Sequence, residues 1–287
     1  ARLERAENNL EKALAYSRSS LELTESLSTD VLNSNLKRTY LSNVFERYDL
    51  HINTLMTLER AAPGNNYAAQ ALETAEKSRA RSLLENLALT EADFIKDADP
   101  EMLRREKEIR ARLTLKSDRL TDLLSGKAEQ AEVENLSAEI RRLENELETI
   151  KAGLKRSSPV YSAVKDPPPF DLREFQTRAL DENSLLLEFS LGASESYLWL
   201  VGKNDFAYFV LPPRREIEQK VESLRALLAS RGMLAGESVE DYQTRMARAD
   251  DLYHNEARLL SRDLFGPIAE RIEGRRLIVV PDGKLHY

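Results

Sequence analysis

Hydrophobic residues along the first half of the chain recur every three or four positions, which is the spacing of one face of an α-helix. Helices are predicted at about residues 3–27, 35–60 and 67–89 and, in a longer run, within 100–156. Beyond the prolines at 167–169 the pattern changes to short apolar runs separated by glycine and polar turns, which are typical of β-strands. The pattern therefore divides the chain into a helical part and a mixed α/β part.

Small side chains mark one face of the third predicted helix, and the first carries a small–large–small pattern at Ala6, Leu10 and Ala13. Small residues let neighbouring helices approach closely, as they do in stacked helical repeats. The residues with this feature in the third helix are Ala68, Ala71, Ala75, Ser78 and Ser82. We predict a helical region over residues 1–99 that resembles tetratricopeptide repeats, while an ordinary amphipathic helix explains the first segment equally well.

The strongest periodic signal lies in residues 100–156, where apolar positions alternate by three and four residues as in a coiled coil. In the first half they are Met102, Ile109, Leu113, Leu120 and Leu123, and in the second half Val133, Leu136, Ile140, Leu143, Leu147, Ile150 and Leu154. Glu106 and Lys116 are polar exceptions, and Gly126 is the expected left-handed helix cap. The pattern predicts an antiparallel helical hairpin. The charged residues predicted to face solvent include Arg141, Arg142, Glu144 and Glu146.

Strand signals follow a boundary at residues 157–169. The β-prone runs at 185–189, 197–201 and 206–210 are separated by short turns, which predicts an antiparallel meander. Two helices and a final strand come next, at about 215–230, 239–264 and 277–280. The second helix is expected to bring Leu252, Leu259, Leu260 and Leu264 toward the sheet.

The final run, Leu-Ile-Val-Val at 277–280, predicts a fully buried strand, which needs neighbours on both sides and cover on both faces. Because few residues follow it, we expect residues 157–287 to be the first part of an α/β domain in a longer protein.

Composition removes several kinds of chemistry. The chain has 287 residues and no cysteine, which excludes a disulfide, a thiolate metal site and a cysteine nucleophile within it. His51, His254 and His286 lie too far apart in sequence for the usual zinc-binding pairs. The net charge of −7 argues against a general nucleic-acid binder. No long apolar run and no leader-like start is present, so we expect no membrane association and a cytoplasmic location.

Other candidate motifs have structural interpretations. The segment 192–196 lacks the second glycine of a serine nucleophile elbow and is predicted to be a hairpin loop. Tyr197 and Trp199 are expected to pack in the sheet, and Asp282 to bond its own backbone in a turn. The basic residues Lys77, Arg79 and Arg81 are predicted to pair with acidic neighbours or to dock against a neighbouring domain. Those acidic neighbours are Glu73, Glu76 and Glu85.

A series of short motifs runs along the whole chain. They are EKSRARSLL at 76–84, PVY at 159–161, LLLEFSLG at 185–192, SYLWLV at 196–201, LPPR at 211–214, LFGPI at 264–268 and LIVVPDGKLH at 277–286. In this order they resemble the CHAT-domain proteins, whose caspase-like domain is associated with tetratricopeptide repeats. The resemblance implies a fold that is mostly α plus α/β, with an incomplete caspase-like domain after the hairpin.

The resemblance also implies the chemistry of a clan CD peptidase, in which a cysteine thiolate attacks a peptide carbonyl and a histidine handles protons. In the family both residues follow the Val-Pro-Asp-Gly turn at the ends of later strands, so neither position lies in residues 1–287. His286 belongs to the turn motif and does not match the catalytic histidine. We therefore assign no catalytic, cofactor-binding or metal-ligating residue and no cofactor.

The expected function is recognition of a protein partner by the helical region and the hairpin, relayed to a peptidase domain completed downstream of Tyr287. One alternative is a structural scaffold that self-associates through the coiled coil, as a homo-oligomer, and carries an inert domain. A self-contained hydrolase that uses Ser, Asp or Glu is a third and less favoured hypothesis.

Overall fold

A computed structural model describes residues 1–28, 34–89, 97–125, 129–165, 170–233 and 235–286. The predicted cap at Gly126 and the prolines at 167–169 lie outside these ranges. The described residues are mostly α-helical and include a four-stranded mixed sheet, so the prediction of α plus α/β is confirmed at this level.

The helical part contains the helices predicted at 35–60 and 67–89 and the predicted hairpin. Its helices are α1 (Arg2–Ala6), α2 (Leu10–Ser28), α3 (Ser34–Ala61), α4 (Tyr67–Leu89), α5 (Pro100–Ser125), α6 (Gln130–Ser157) and α7 (Pro159–Lys165). The single helix predicted at 3–27 is wrong, because the chain breaks between α1 and α2. Asn8 adopts a φ of 61°, in the left-handed region that asparagine tolerates better than most residues, and this conformation ends α1.

The helices α5 and α6 pack against each other over most of their length, which confirms the predicted antiparallel hairpin. Their apolar positions share one core, here called the hairpin seam. It contains Ile109, Leu113, Leu136, Ile140, Leu143, Leu147, Ile150 and Leu154, with Met102, Leu120 and Leu123 packed against it. Ion pairs cross from one helix to the other outside the seam. They are Arg105–Glu146, Lys116–Glu139 and Arg119–Glu132.

The two polar exceptions in the heptad pattern are both accommodated by charged partners. Lys116 pairs with Glu139 on the opposite helix. Glu106 is buried and accepts hydrogen bonds from Nε and Nη2 of Arg110, at 2.9 and 2.7 Å. A buried carboxylate such as Glu106 needs a charged partner like Arg110, because its desolvation is costly. Burial and the nearby Glu106 carboxylate also raise the pKa of the Tyr161 phenol.

The α/β part begins with α8 (Leu172–Ala179) and continues with β1 (Ser184–Ser190), β2 (Ser196–Gly202), β3 (Phe206–Leu211), α9 (Arg214–Ala229), α10 (Val239–Phe265), α11 (Ala269–Ile272) and β4 (Arg276–Val280). Short 3-10 helices follow α10 and β4, at Gly266–Ile268 and Gly283–His286. The strand order is β3-β2-β1-β4. The pairs β1–β2 and β2–β3 are antiparallel, which confirms the meander, whereas β4 runs parallel to β1.

One face of the sheet forms the core of this part, here called the sheet core. Leu185 and Leu187 of β1 and Leu198 of β2 face Ile217 of α9 and Leu264 of α10. Both helices are amphipathic, and the stripe that α10 presents to the sheet includes Leu260. The prediction for Leu252 is wrong, because its side chain is 55% exposed.

The opposite face of the sheet carries residues of the other parity, and these are also buried. Tyr197 and Trp199 are almost completely buried, with ring centroids 6.0 Å apart, which confirms that they pack in the sheet. Glu188 lies directly opposite Trp199 and is buried as well.

The chain forms two compact units. One comprises Ala1–Ala61 and Glu73–Phe170, and the other comprises Ala62–Leu72 and Asp171–Tyr287. The first unit contains the α2–α3 pair and the hairpin, and the second contains the sheet with α8 to α11. The finer division at residues 99 and 156 stays a prediction.

Candidate functional site

The three histidines occupy unrelated positions. His254 lies exposed on α10, and His286 lies exposed in the last 3-10 helix. His51 is buried on α3, where Nδ1 lies 2.8 Å from Oγ of Ser17 on α2. Burial, with a smaller contribution from Arg18, lowers the pKa of His51 to about 4, so the ring is neutral near pH 7. Across the ranges that the structure describes, no cluster of three or more His, Asp or Glu side chains is arranged to hold a metal ion.

The other residues that the sequence analysis singled out make contacts that stabilise local structure. Arg79 pairs with Glu76 one turn earlier on α4, as predicted for the basic cluster. The segment 192–196 connects β1 to β2, which confirms the hairpin loop, and the hydroxyl of Tyr197 donates to Glu195 at 3.0 Å. The structure therefore brings none of these candidates together into a polar cleft among the described residues.

Strand β4 is the most exposed strand of the sheet. Leu277, Ile278 and Val279 are 37, 39 and 48% exposed, although the sequence predicts a fully buried strand. The prediction of burial is wrong for this structure because β4 pairs with β1 on one side only. The register with β1 places Leu277 and Val279 on the face of the sheet core and Ile278 on the opposite face. Both faces of β4 therefore present apolar side chains to solvent.

The outer side of β4, here called the β4 edge (Arg276–Val280), also presents backbone groups. The N–H of Arg276 donates to the carbonyl of Asn183 at 2.9 Å, which turns this residue toward β1. In a parallel pair, the residues that bond one neighbour alternate with those that point away from it. The N–H and C=O groups of Leu277 and Val279 consequently point to the open side. An exposed apolar strand with this arrangement is a template for pairing with another strand.

The opposite edge of the sheet, at β3, combines a neighbouring cation with an exposed apolar residue, Val210, which is 42% exposed. Arg271 of α11 pairs with Asp205 at 2.6 Å and lies over the ring of Phe209, 5.9 Å from the ring centroid. Pro212 follows the strand directly and has no backbone N–H that could donate a hydrogen bond. Charges and prolines at an edge are common devices against unwanted strand pairing. Both edges expose apolar side chains, and β4 is the more exposed of the two edge strands along its length.

The first residues of β4 are anchored on the turn before β1. Arg276 donates from Nη2 to Asp181 at 2.7 Å and from Nε to Oγ of Ser184 at 2.9 Å. The Ser184 hydroxyl also donates to Asp181 at 2.6 Å, and this hydrogen bond is the main cause of the lowered pKa of the Asp181 carboxyl. These contacts fix the amino end of β4 but leave its outer side uncovered.

The carboxyl end of β4 is fixed by a turn at residues 281–286, here called the Asp282 turn. The Asp282 carboxylate accepts from the N–H of Gly283 at 2.7 Å, which confirms that this residue bonds its own backbone. It also accepts from the N–H of Leu191, just beyond β1, at 2.7 Å. Arg214 at the start of α9 donates from Nε to the carbonyl of Leu191 at 2.9 Å. Both backbone groups of Leu191 are thus held by side chains distant in sequence.

Gly283 is required for this turn. Its φ is 53°, which L side chains rarely adopt, and a Cβ there would lie 2.5 Å from Oε1 of Glu218. The same Glu218 oxygen accepts from the N–H of Lys284 at 3.4 Å, and Lys284 pairs with Glu222 one turn further along α9. The hydrogen bond and charge of Glu222 raise the pKa of the Lys284 ammonium. Sequence analysis identified the turn but assigned no role to Arg214, which lies in the LPPR motif, or to Glu218, because both contact residues far away in sequence.

Comparison of the chain with family models, with curated proteins and with solved structures gave no match. In the ranges given above, no helix combines the length and the apolar composition needed to cross a bilayer. Among the described residues, the β4 edge with the Asp282 turn is the candidate functional site that the geometry supports.

Proposed function

We propose that this chain is the non-catalytic, regulatory portion of a caspase-like cysteine peptidase. In this proposal the α1–α4 region, with a tetratricopeptide-like role, and the α5–α6 hairpin bind a protein partner. The β4 edge receives the part of the peptidase domain that carries the catalytic histidine and cysteine. The observation that carries the proposal is the β4 edge, an outer strand of the sheet with apolar side chains exposed on both faces.

The polarity of the strands supports this assignment. Because β1 and β4 are parallel, their carboxyl ends lie at the same border of the sheet, next to Leu191 and the Asp282 turn. In open α/β sheets, ligands bind outside the carboxyl ends of the strands, where neighbouring connections leave in opposite directions. From β1 the chain turns back to β2 on one side, and β4 lies on the other. The Asp282 turn occupies this border.

The role of this chain in catalysis would be positional. With no cysteine, it supplies no thiolate, so attack on a peptide carbonyl depends on residues that join the sheet. Asp282 and Arg214 hold the backbone where such residues would be placed, and a catalytic group must be held to a fraction of an ångström. We further propose a cytoplasmic location, no nucleic-acid ligand and no cofactor.

The experiment compares this chain with the polypeptide continued past Tyr287 in its natural reading frame. We expect the continuation to contain a histidine and a later cysteine at strand ends, and to confer peptidase activity that a Cys→Ala variant abolishes. The chain that ends at Tyr287 should hydrolyse no peptide. A continuation without these two residues, or turnover by the shorter chain, would contradict the proposal.

The scaffold alternative makes a different prediction for the hairpin. The hairpin seam is satisfied within one chain, because α5 and α6 bury it against each other. Self-association would therefore need another surface, and we rank the scaffold second. Light scattering of the chain at increasing concentration separates the two: a monomer agrees with the regulatory proposal, and a stable oligomer agrees with the scaffold.

A further inference from the structure

We infer that two rows of charge give the seam face of α5 one kind of partner, an antiparallel helix with acidic residues at heptad spacing, and that α6 of the same chain is that helix. The basic row on α5 is Arg105, Arg112 and Arg119, and the acidic row on α6 is Glu132, Glu139 and Glu146. The rows disfavour a second copy of either helix at the same position. The inference does not depend on the proposed function.

The two rows repeat every seven residues beside the buried side of the hairpin. The three arginines directly precede Glu106, Leu113 and Leu120, and the three glutamates directly precede Val133, Ile140 and Leu147. The residues that follow each charge belong to the three-and-four pattern of the hairpin. Charged residues that flank such a pattern pair between helices and set the choice and the direction of the partner.

The structure pairs the two rows from opposite ends. Arg105, near the start of α5, donates from Nε to Oε1 of Glu146 at 3.0 Å. Arg119, near the end of α5, pairs with Glu132 at 2.8 Å. The two pairs are separated by two heptads on each helix, as an antiparallel register requires.

The middle position is matched through a neighbouring lysine. Glu139 pairs with Lys116 of α5. The hydrogen bond and charge of Lys116, with smaller contributions from Arg142 and Arg112, hold the pKa of the Glu139 carboxyl below its usual range. Arg112 therefore acts on Glu139 electrostatically, although Lys116 makes the direct contact. All three glutamates of the acidic row face positive charge from α5.

Other arrangements of the same helices leave the charges unmatched. In an antiparallel pair of two α5 helices the basic row would face itself, and in a pair of two α6 helices the acidic row would do so. Like charges across an interface act against the wrong partner. A parallel arrangement of α5 with α6 would bring the basic row to the other flank of α6. That flank carries Ser137, Glu144 and Lys151, of which one is acidic.

The register is limited by the same rows. Sliding α5 along α6 by one heptad would keep opposite charges at two of the three positions. Of the arrangements considered, the antiparallel pair in its observed register alone matches all three.

The charge pairs are exposed, so their effect is on the choice of partner more than on stability. The side chains of Arg119 and Glu132 are 67% and 46% exposed. Exposed ion pairs stabilise a fold only slightly, whereas placing like charges together at several positions adds repulsion to the lost attraction. Reversing the pattern should therefore show what the rows do.

The test compares two variants of the full chain that have the same composition and net charge. Arg105→Glu/Glu146→Arg exchanges the charges within one pair, so both end positions stay matched. Arg105→Glu/Glu132→Arg places like charges at both ends of the hairpin. We expect the first variant to keep the Tm of the helical unit within about 2 °C and the second to lower it by about 4–8 °C, measured by circular dichroism. Equal Tm values for the two variants would overturn the inference.

Sedimentation of the same two variants tests the choice of partner. In Arg105→Glu/Glu132→Arg the row on each helix becomes complementary to the same row of a second copy, while the pairing within the chain is opposed. This variant should form dimers at increasing concentration, and the variant with both ends matched should associate no more than the unaltered chain. If the mismatched variant loses stability and associates no more than the unaltered chain, the rows do not choose the partner and the inference fails.

Salt separates charge from packing. Raising the ionic strength from about 0.02 M to about 0.5 M shortens the range of electrostatic interactions to a few ångströms. The Tm difference between the two variants should then fall by at least half. A difference that salt does not change would assign these side chains a packing role and would refute the inference.

Discussion

Mild acid should destabilise the helical unit through one buried side chain, His51. The ring lies between α3 and α2, 7% exposed, with Nδ1 2.8 Å from Ser17 Oγ. Its pKa is lowered from 6.5 to about 4 because burial penalises the charged ring and the Arg18 guanidinium adds repulsion. The folded state therefore keeps this histidine neutral in a pH range where the unfolded chain binds a proton.

The sign and size of the effect follow from linkage. A group with a lower pKa in the folded state costs stability as the pH falls below its unfolded value. The difference between the pKa values of 6.5 and about 4 lowers the free energy of unfolding by about 3 kcal/mol at a pH low enough to protonate His51 in both the folded and the unfolded state. At about pH 5 the unfolded histidine is almost fully protonated while the folded one is mostly neutral, so about 2 kcal/mol of stability should be lost relative to about pH 7.5.

The assay is urea unfolding followed by far-UV circular dichroism at these two pH values, for the unaltered chain and for His51→Gln. Carboxylates also contribute to acid destabilisation, so the quantity to compare is the difference between the two proteins. The variant, which cannot titrate at this position, should lose about 2 kcal/mol less between the two pH values. His254→Gln, at an exposed position on α10, is the matched control and should behave as the unaltered chain. An equal pH dependence in all three proteins would refute the reasoning.

Three further substitutions, with Leu115→Ala as a control, test the two units separately. Leu143→Ala empties part of the hairpin seam and should lower the free energy of unfolding by about 3 kcal/mol in urea titrations, whereas Leu115→Ala, at an exposed position, should cost little. Asp282→Ala leaves the N–H groups of Leu191 and Gly283 without their acceptor and should cost about 1–3 kcal/mol, seen as a lower Tm of the sheet unit. Gly283→Ala should cost about 1–2 kcal/mol in the same transition, because L side chains rarely adopt its φ of 53°.

Local periodicity explains why the hairpin could be predicted in detail. Alternating steps of three and four residues map directly onto one face of a helix, and two such faces bury each other when a short connection joins them. All apolar residues of the predicted ladder except Val133 are buried in the hairpin seam or packed against it. Breaks in a helix are less visible, because a single residue such as Asn8 can leave the periodic pattern unchanged while it ends the helix.

Burial depends on tertiary neighbours, so the apolar periodicity of a helix does not by itself predict which of its residues are buried. The stripe on α10 continues through Leu252, but only its later part, at Leu260 and Leu264, lies over the sheet. The spacing of apolar residues along a helix does not show where the partner surface ends. The contacts of Arg214 with Leu191 and Asp282 have the same origin, since they join residues separated by 23 and 68 positions.

Strand β4 has an exposed edge, whereas the Asp282 turn that follows it is held by hydrogen bonds. An apolar edge with outward N–H and C=O groups invites unwanted pairing, and native sheets usually protect such edges, as Arg271 does beside β3. Of residues 276–280, only Arg276 is charged, and its guanidinium bonds Asp181 and Ser184, while residues 277–280 are aliphatic. The turn that follows is nevertheless fixed by Asp282, Gly283 and Glu218. An exposed apolar strand followed by a hydrogen-bonded turn is therefore the geometry from which the proposed function is argued.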